Sequence, residues 1–376
     1  MRPTWVEVSL KNLRQNFRCI QQRVGTNVAV CAVIKADGYG HGAVECARAL
    51  EEEGATWFGV TSTEEGVRLR DAGVVSRILL MTGYWQGEEE DVVNHRLTPA
   101  VWEPWHLRLL ANAVAKLGHR PVSVHMKVDT GMARLGVDVG SLPEFLRILR
   151  SVPSLELEGV FTHLASAQIL EAPESLEQIR CFEDVQDMVL QAGFSPLYFH
   201  MANSAAVASR RVTWKNMVRP GISLYGYHIP FVSNQSTVRL CLPVMPVLSW
   251  KTRIISLRKV GSNQPIGYDG AYVTTEPARL AILPVGYADG LSRQLSSRGR
   301  AIVRDTYAPI VGNIAMDITV LDITRVKDAS LGDEVTLIGS TEHCSITALE
   351  HVDLRGTIPH EVLCNVAKRV PRQYVY

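Results

Sequence analysis

The chain has 376 residues, with 46% hydrophobic and 20% charged side chains, and its 39 basic residues balance 38 acidic ones to a formal net charge of +1. This is globular composition, long enough for roughly two to three domains of ~150 residues or for one large barrel. The charge balance gives no pull toward nucleic acid or an acidic membrane, and the longest aliphatic runs, such as Val28–Ile34, fall far short of the ~20 apolar residues a membrane helix needs.

The charged opening MRPTWVEVSLKNLRQNF has no apolar signal-peptide core. The seven cysteines are odd in number, and the closest two, Cys19 and Cys31, are too far apart for a CxxC site. Both features lead to the expectation of a cytoplasmic protein with reduced thiols, without a metal site.

In chain order, a strand over Thr4–Leu10, assignable to either domain, is followed by a helix over Leu10–Val24. Then come apolar, β-branched runs that read as buried strands: Val28–Ile34, Trp57–Val60, Ile78–Thr82, Leu97–Val101, Val122–Val128, Leu157–His163, Leu197–His200 and Met217–Ser223. Helical spacing of apolar residues fills the gaps, over His41–Glu53, Thr63–Ala72, Glu88–His95, Pro104–Leu117, Leu142–Ser151, Glu174–Ala192 and Ser204–Arg210. Eight strands with helices between them predict a (β/α)8 TIM-type barrel over 1–235, with a doubly wound open sheet as the alternative. Phe231–Thr237 reads as loop. Beyond it, Val247–Ile255, Ala278–Val285, Arg300–Val303, Ile310–Val311, Ile318–Ile323 and Glu334–Ile338, punctuated by glycine turns, predict a mainly β domain over 236–376.

Barrel chemistry sits at the C-terminal ends of the strands. The first strand ends on Lys35, followed by Ala36-Asp37-Gly38-Tyr39-Gly40-His41-Gly42. A lysine at a dry strand end is either an activated amine, able to form a Schiff base with a carbonyl or pyridoxal phosphate (PLP), or an ordinary partner of Asp37. The glycine spacing is neither GxGxxG nor a nucleotide-phosphate loop. The fifth strand brings Lys127, Asp129 and Arg134 to the same mouth, as a site or as an ion-pair network, and the sixth brings His163. After the seventh strand, Asn203-Ser204 opens a short helix for which Ser204 is the expected N-cap; after the eighth comes Arg219-Pro220-Gly221-Ile222. A lysine and a possible phosphate cup on one face point to PLP more than to a sugar phosphate. The second domain adds the loops Gly267–Tyr272 and Gly286–Gly290, and Met316-Asp317.

The segments AVIKADGYGHG (32–42), HMKVDTGMARLG (125–136), THLASA (162–167), HMANSAA (200–206), VRPGISLYG (218–226), IGYDGAY (266–272), VGYADG (285–290), AMD (315–317) and EVLCNVAKRVPR (361–372) fall in an order and spacing that resembles the bacterial alanine racemase family over nearly the whole chain. The resemblance implies a PLP-dependent isomerase that interconverts L- and D-alanine and supplies D-alanine for peptidoglycan. Lys35 would hold PLP and act as one base; Tyr272, from the partner subunit of a homodimer with composite sites, would be the other. His163 and Arg219 would tune Tyr272, and Arg219 would face the pyridine nitrogen. Arg134 would hold the cofactor phenolate and the substrate carboxylate, oriented by Lys127, which is carbamylated in some relatives. Tyr39, Asn203, Ser204, Gly221 and Ile222 would surround the phosphate; Tyr287, Met316 and Asp317 would line the substrate pocket with Tyr272. Two positions depart from the family pattern. His360 stands where a tyrosine usually touches the phosphate, which leaves a serine or broad-specificity racemase as an alternative, and Ala315 stands where many relatives have cysteine. A decarboxylase of the same plan would need a second-domain cysteine and acid that no loop supplies, and a non-enzymatic PLP-binding protein has no use for the Tyr272 loop.

Overall fold

A computed structural model describes residues 2–233 and 242–376. The predicted boundary at 235/236, most of the loop 231–237 and Cys241 lie outside the described residues. The chain divides into two compact units, Leu13–Gly38 with Ala43–Val244, and Met1–Asn12 with Tyr39–Gly42 and Met245–Tyr376.

The first unit is a parallel barrel. Its strands are Ala29–Val33, Trp57–Val60, Arg77–Leu80, Thr98–Val101, Val122–Asp129, Leu155–Phe161, Tyr198–His200 and Met217–Val218; the first seven pair in succession and the last pairs with the first. The seam between the last two carries no ladder among the described residues. There, Phe199 N donates to Asn216 Oδ1 (2.7 Å) and Arg219 N to Ala202 O (2.9 Å). The eighth strand was expected to run through Ser223 but ends at Val218. Pro220 has no N–H to offer a ladder, and the chain turns into a short 3-10 segment over Ile222–Tyr225. Helices lie over Ala43–Glu52, Thr63–Asp71, Glu89–Asn94, Pro104–Leu117, Leu142–Arg150 and Pro173–Gln191, each with an apolar face turned to the barrel. Cys31, Trp57, Leu79 and Met217, from four strands, form one layer of the interior.

The second unit is mainly β. Its largest sheet runs in the order Thr306–Pro309, Arg300–Val303, Glu334–Ser340, Leu248–Arg253, Thr4–Ser9, Arg372–Val375. The N-terminal strand therefore belongs here, antiparallel to Leu248–Arg253 and parallel to Arg372–Val375 near the other end of the chain. A three-stranded sheet of Ser256–Val260, Ala278–Leu283 and Thr319–Asp322 carries a two-residue hairpin, Pro265–Ile266 against Tyr272–Val273, packed on a cluster of Ile266, Ala278, Leu280 and Val311. Ile310–Val311, expected as a strand, contributes only an isolated bridge from Ile310 to Leu321. Two short helices, Ala348–Arg355 and Pro359–Cys364, complete the unit.

Candidate active site

Lys35 follows the first barrel strand and opens a turn of unusual hand. Ala36, Asp37 and Gly38 have φ near 52°, 53° and 64°, and Tyr39 follows at 53°. For residues with a Cβ this conformation costs roughly 1–2 kcal/mol each, so other contacts must hold it. Glu65 Oε1 accepts from Ala36 N (2.6 Å), Glu65 Oε2 from Thr61 N (2.9 Å), and Asp37 Oδ1 from Ala43 N (3.0 Å). Asp37 also pairs with Arg68 (3.2 Å). Glu65, in the first turn of Thr63–Asp71, is thus a determinant of the lysine's setting. Sequence reading missed it because nothing in its local pattern distinguishes it from a solvated helix face.

At the fifth strand, Asp129 gathers the loop that carries Arg134. Its carboxylate accepts from the amides of Gly131 (2.9 Å), Met132 (2.8 Å), Ala133 (3.2 Å) and Arg134 (2.9 Å). Burial pushes its pKa up, but the amides outweigh burial and hold it below the usual carboxylate range. Lys127 is buried, with Nζ 3.5 Å from Met81 O. Burial, then the positive charges of Arg219, Arg134 and Lys35, bring its pKa down to about 8. His163 is pressed further, to about 3, by burial and by Arg219, Arg134, Lys127 and Lys35. It is a neutral imidazole among cations. Gln178 secures its loop by donating to His163 O (3.0 Å) and accepting from Ala165 N (2.9 Å).

Arg219 lies 4% exposed in the barrel. Burial lowers its pKa to about 10, so it remains a cation at neutral pH, and no carboxylate pairs with it among the described residues. One nitrogen donates to Thr162 O (2.6 Å) and another to His200 Nδ1 (2.6 Å). Because a guanidinium only donates, His200 Nδ1 must accept. Its Nε2–H then points at His125 Nδ1 (2.9 Å), and His125 Nε2–H faces Glu158 Oε2 at 3.5 Å. Glu158 in turn pairs with Arg77. Burial holds both histidines below their ordinary pKa, most strongly His200. The hydrogen bonds thus have one direction of donation, from Arg219 through His200 to His125. It has room because residue 159 is glycine: a Cβ there would lie 2.5 Å from the His125 ring.

Asn203, not Ser204, caps the short helix Ser204–Ser209, its Oδ1 accepting from Ala206 N (3.1 Å). The cap sits one residue earlier than expected, which makes Ser204 the first helical residue and frees its Oγ for the next loop. That Oγ accepts from Gly221 N (2.8 Å) and Ser223 N (3.3 Å) and lies 3.1 Å from Ser223 Oγ. Ile222 starts the 3-10 segment beside this cluster.

Within the second unit, Tyr39 and His360 come together, their rings 5.6 Å apart, with His41 Nδ1 3.0 Å from Tyr39 O. Tyr272 sits half-buried on the hairpin opposite Ile266. Tyr287 and Met316 are neighbours, because Tyr287 N donates to Ala315 O (3.0 Å) and Ala288 N to Met316 O (3.0 Å). The backbones approach so closely that a Cβ on Gly286 would lie 2.2 Å from Ala315 O. Both side chains are open to solvent, 44% and 54% exposed. Asp317 is engaged with Arg369 (2.7 Å) and Arg2 (3.4 Å), and the same two arginines hold the buried Asp289.

The model of the alanine racemase N-terminal domain matches residues 8–229 and that of the C-terminal domain matches residues 247–374. The chain belongs to the alanine racemase family. It is 40% identical to the alanine racemase of Geobacter sp. (strain M21) over 382 aligned positions, covering all of this chain and 99% of the relative. Among solved structures it is similar to alanine racemase of Clostridium difficile 630 (TM-score 0.91, 32% identity, 100% of this chain and 96% of that one). It is similar also to the Bartonella henselae alanine racemase with covalently bound pyridoxal phosphate (TM-score 0.86, 27% identity, all of both chains). The family's two-domain division, barrel then mainly β, is the architecture described above, and no helix among the described residues is long and apolar enough to cross a membrane.

Proposed function

We propose that this chain is a PLP-dependent racemase that interconverts L- and D-alanine and so supplies D-alanine for peptidoglycan. The observation that carries the reading, in a chain of this family, is a set of four cations, Lys35, Lys127, Arg134 and Arg219, whose charges act together on one neutral histidine, His163. Such a site suits a doubly anionic cofactor and a carboxylate substrate. The hydroxyls of Ser204 and Ser223 with the amides of Gly221 and Ser223 supply hydrogen-bonding groups of the kind a phosphate needs, beside Ile222 and Asn203. Tyr39 and His360 are assigned to the same phosphate.

PLP, when bound, supplies an electron-withdrawing ring that acidifies the α-proton of an amino acid joined to it. Lys35 holds the cofactor and exchanges a proton on one face of the substrate. Tyr272 of the partner subunit exchanges it on the other, in a homodimer with composite sites. His163, neutral at working pH, is able to accept or donate a hydrogen bond to Tyr272. Arg219 can only donate, so at the pyridine nitrogen it keeps that atom an acceptor and restrains the ring's electron withdrawal. That restraint suits simple return of the proton. Arg134 binds the substrate carboxylate. Tyr287 and Met316 limit the side-chain pocket, with Asp317 fixed behind Met316 by its arginines.

Lys127 is the proposed carbamylation site. Its pKa near 8 leaves a fraction of free amine at neutral pH. Loss of one proton to give the free amine, then addition of CO2 to that nitrogen with loss of a second, would turn one of four crowded cations into a carbamate anion able to orient Arg134.

Serine is the second reading, favoured by His360 in place of the usual tyrosine. The test is turnover in heavy water with PLP, L-alanine and, separately, L-serine. Deuterated D-alanine in excess of D-serine is the expected product. Dominant D-serine moves the substrate assignment, and the absence of any inverted, deuterated product removes the reaction.

A further inference from the structure

At the N-terminal ends of the barrel strands, the opposite end from Lys35, a cavity of about 780 Å³ opens beneath three adjacent strands. Each of these strands brings an arginine to the same rim. Arg77 begins Arg77–Leu80, Arg96 precedes Thr98–Val101 by two residues, and Arg120 precedes Val122–Asp129 by two. Neighbouring strands lie about 4.8 Å apart, so the three side chains form one front. Arg70 joins them from the helix Thr63–Asp71, and His119 lies alongside.

No lining residue is acidic. Among the described residues, no carboxylate lies within salt-bridge distance of Arg70, Arg96 or Arg120; Arg77 alone has one, Glu158. Arg70 is held rigidly by carbonyls only, donating to His95 O (2.9 Å), Val74 O (2.8 Å), Ser76 O (2.7 Å) and Arg96 O (3.3 Å). Burial lowers its pKa, Glu51, beyond ion-pair distance, raises it, and the nearby Arg96 charge lowers it again. A half-buried guanidinium with no carboxylate in contact, two exposed ones beside it and a concave space between them make a field that attracts an anion. Several arginines from different strands match an anion with oxygens in more than one direction better than they match chloride.

We propose that this basal cavity is a binding site for a small polyanion of phosphoryl or polycarboxylate chemistry, separate from the catalytic end of the barrel. Arg96 and Arg120 are its exposed contacts, Arg70 its fixed charge.

The test is calorimetric titration of the PLP-loaded protein with inorganic pyrophosphate, which the loaded cofactor site does not compete for. The expected result is saturable binding of one pyrophosphate per chain that persists at 0.15 M salt. In Arg96→Ala/Arg120→Ala the affinity falls by about tenfold or more, equivalent to about 1.4 kcal/mol; in Arg96→Lys/Arg120→Lys part of it returns. Arg77 is left in place because it also pairs with Glu158. Basal racemisation stays unchanged in both double variants. Citrate in place of pyrophosphate distinguishes a polycarboxylate from a phosphoryl ligand. Equal affinity in wild type and Arg96→Ala/Arg120→Ala overturns the proposal, as does binding that disappears at physiological salt, where only exposed, diffuse attraction is screened out.

Discussion

The barrel interior and the loops of the second unit solve the positioning of reactive groups in opposite ways. In the barrel, charged and titratable groups are dry and fixed by one another: Arg219, His200, His125 and Glu158 form a directed series in which each partner sets the next tautomer. In the second unit, Tyr287 and Met316 are set by main-chain bonds between two loops, while the side chains stay in solvent. Dry groups change their chemistry, as the depressed histidines and lysine indicate. Solvated groups on rigid backbone keep their chemistry and supply shape. The barrel therefore carries the electronics of the reading above, and the second unit its outline and a tyrosine.

The variants that break this contrast rank by size. Lys35→Ala abolishes racemisation and the visible absorption of the bound cofactor; activity near wild type would remove Lys35 from its role. Tyr272→Phe keeps that absorption and loses about 10²–10⁴ in kcat, measured by chiral chromatography. Glu158→Gln leaves His125 and Arg77 without their carboxylate. It costs about 1–3 kcal/mol in denaturant unfolding, because Glu158 is buried while Arg77 is partly exposed. An unchanged unfolding midpoint would show that the inward series is not structural.

Acid sharpens the comparison further. His163, held near 3, and His106 and His351, held near 4, are neutral in the folded protein where the unfolded chain binds protons at about 6.5. Above that value they carry no linkage. As pH falls below it, the unfolded state takes up protons first and stability drops, down to the folded pKa values. Tm measured by calorimetry should fall by several degrees between about pH 7 and about pH 5, before most carboxylates titrate. The smallest effect is expected at His360→Tyr, which lowers serine use relative to alanine; an unchanged ratio shows that His360 does not set specificity.

Much of this was legible in the chain. Most barrel strands are dense apolar runs, buried on both faces, and such runs declare themselves without context. Lys35, Lys127, His163 and Arg219 could be singled out because they stand where those runs stop. What stayed hidden depends on register and short range. The Glu158–His125 approach requires knowing that Gly159 pairs opposite His125. The cap at Asn203 instead of Ser204 is a one-residue choice between two good capping side chains. The hairpin carrying Tyr272 has two residues per strand, too few for a period. The helices Ala348–Arg355 and Pro359–Cys364 are likewise too short, and mixed in polarity, to show one.

In the proposed reaction two different bases serve the two faces of the substrate. The most direct test follows deuterium uptake from heavy water by Tyr272→Phe, starting from L-alanine and from D-alanine in parallel. Exchange without inversion is expected to survive from D-alanine, through Lys35, and to be lost from L-alanine. Equal loss from both enantiomers, or equal retention, would contradict it.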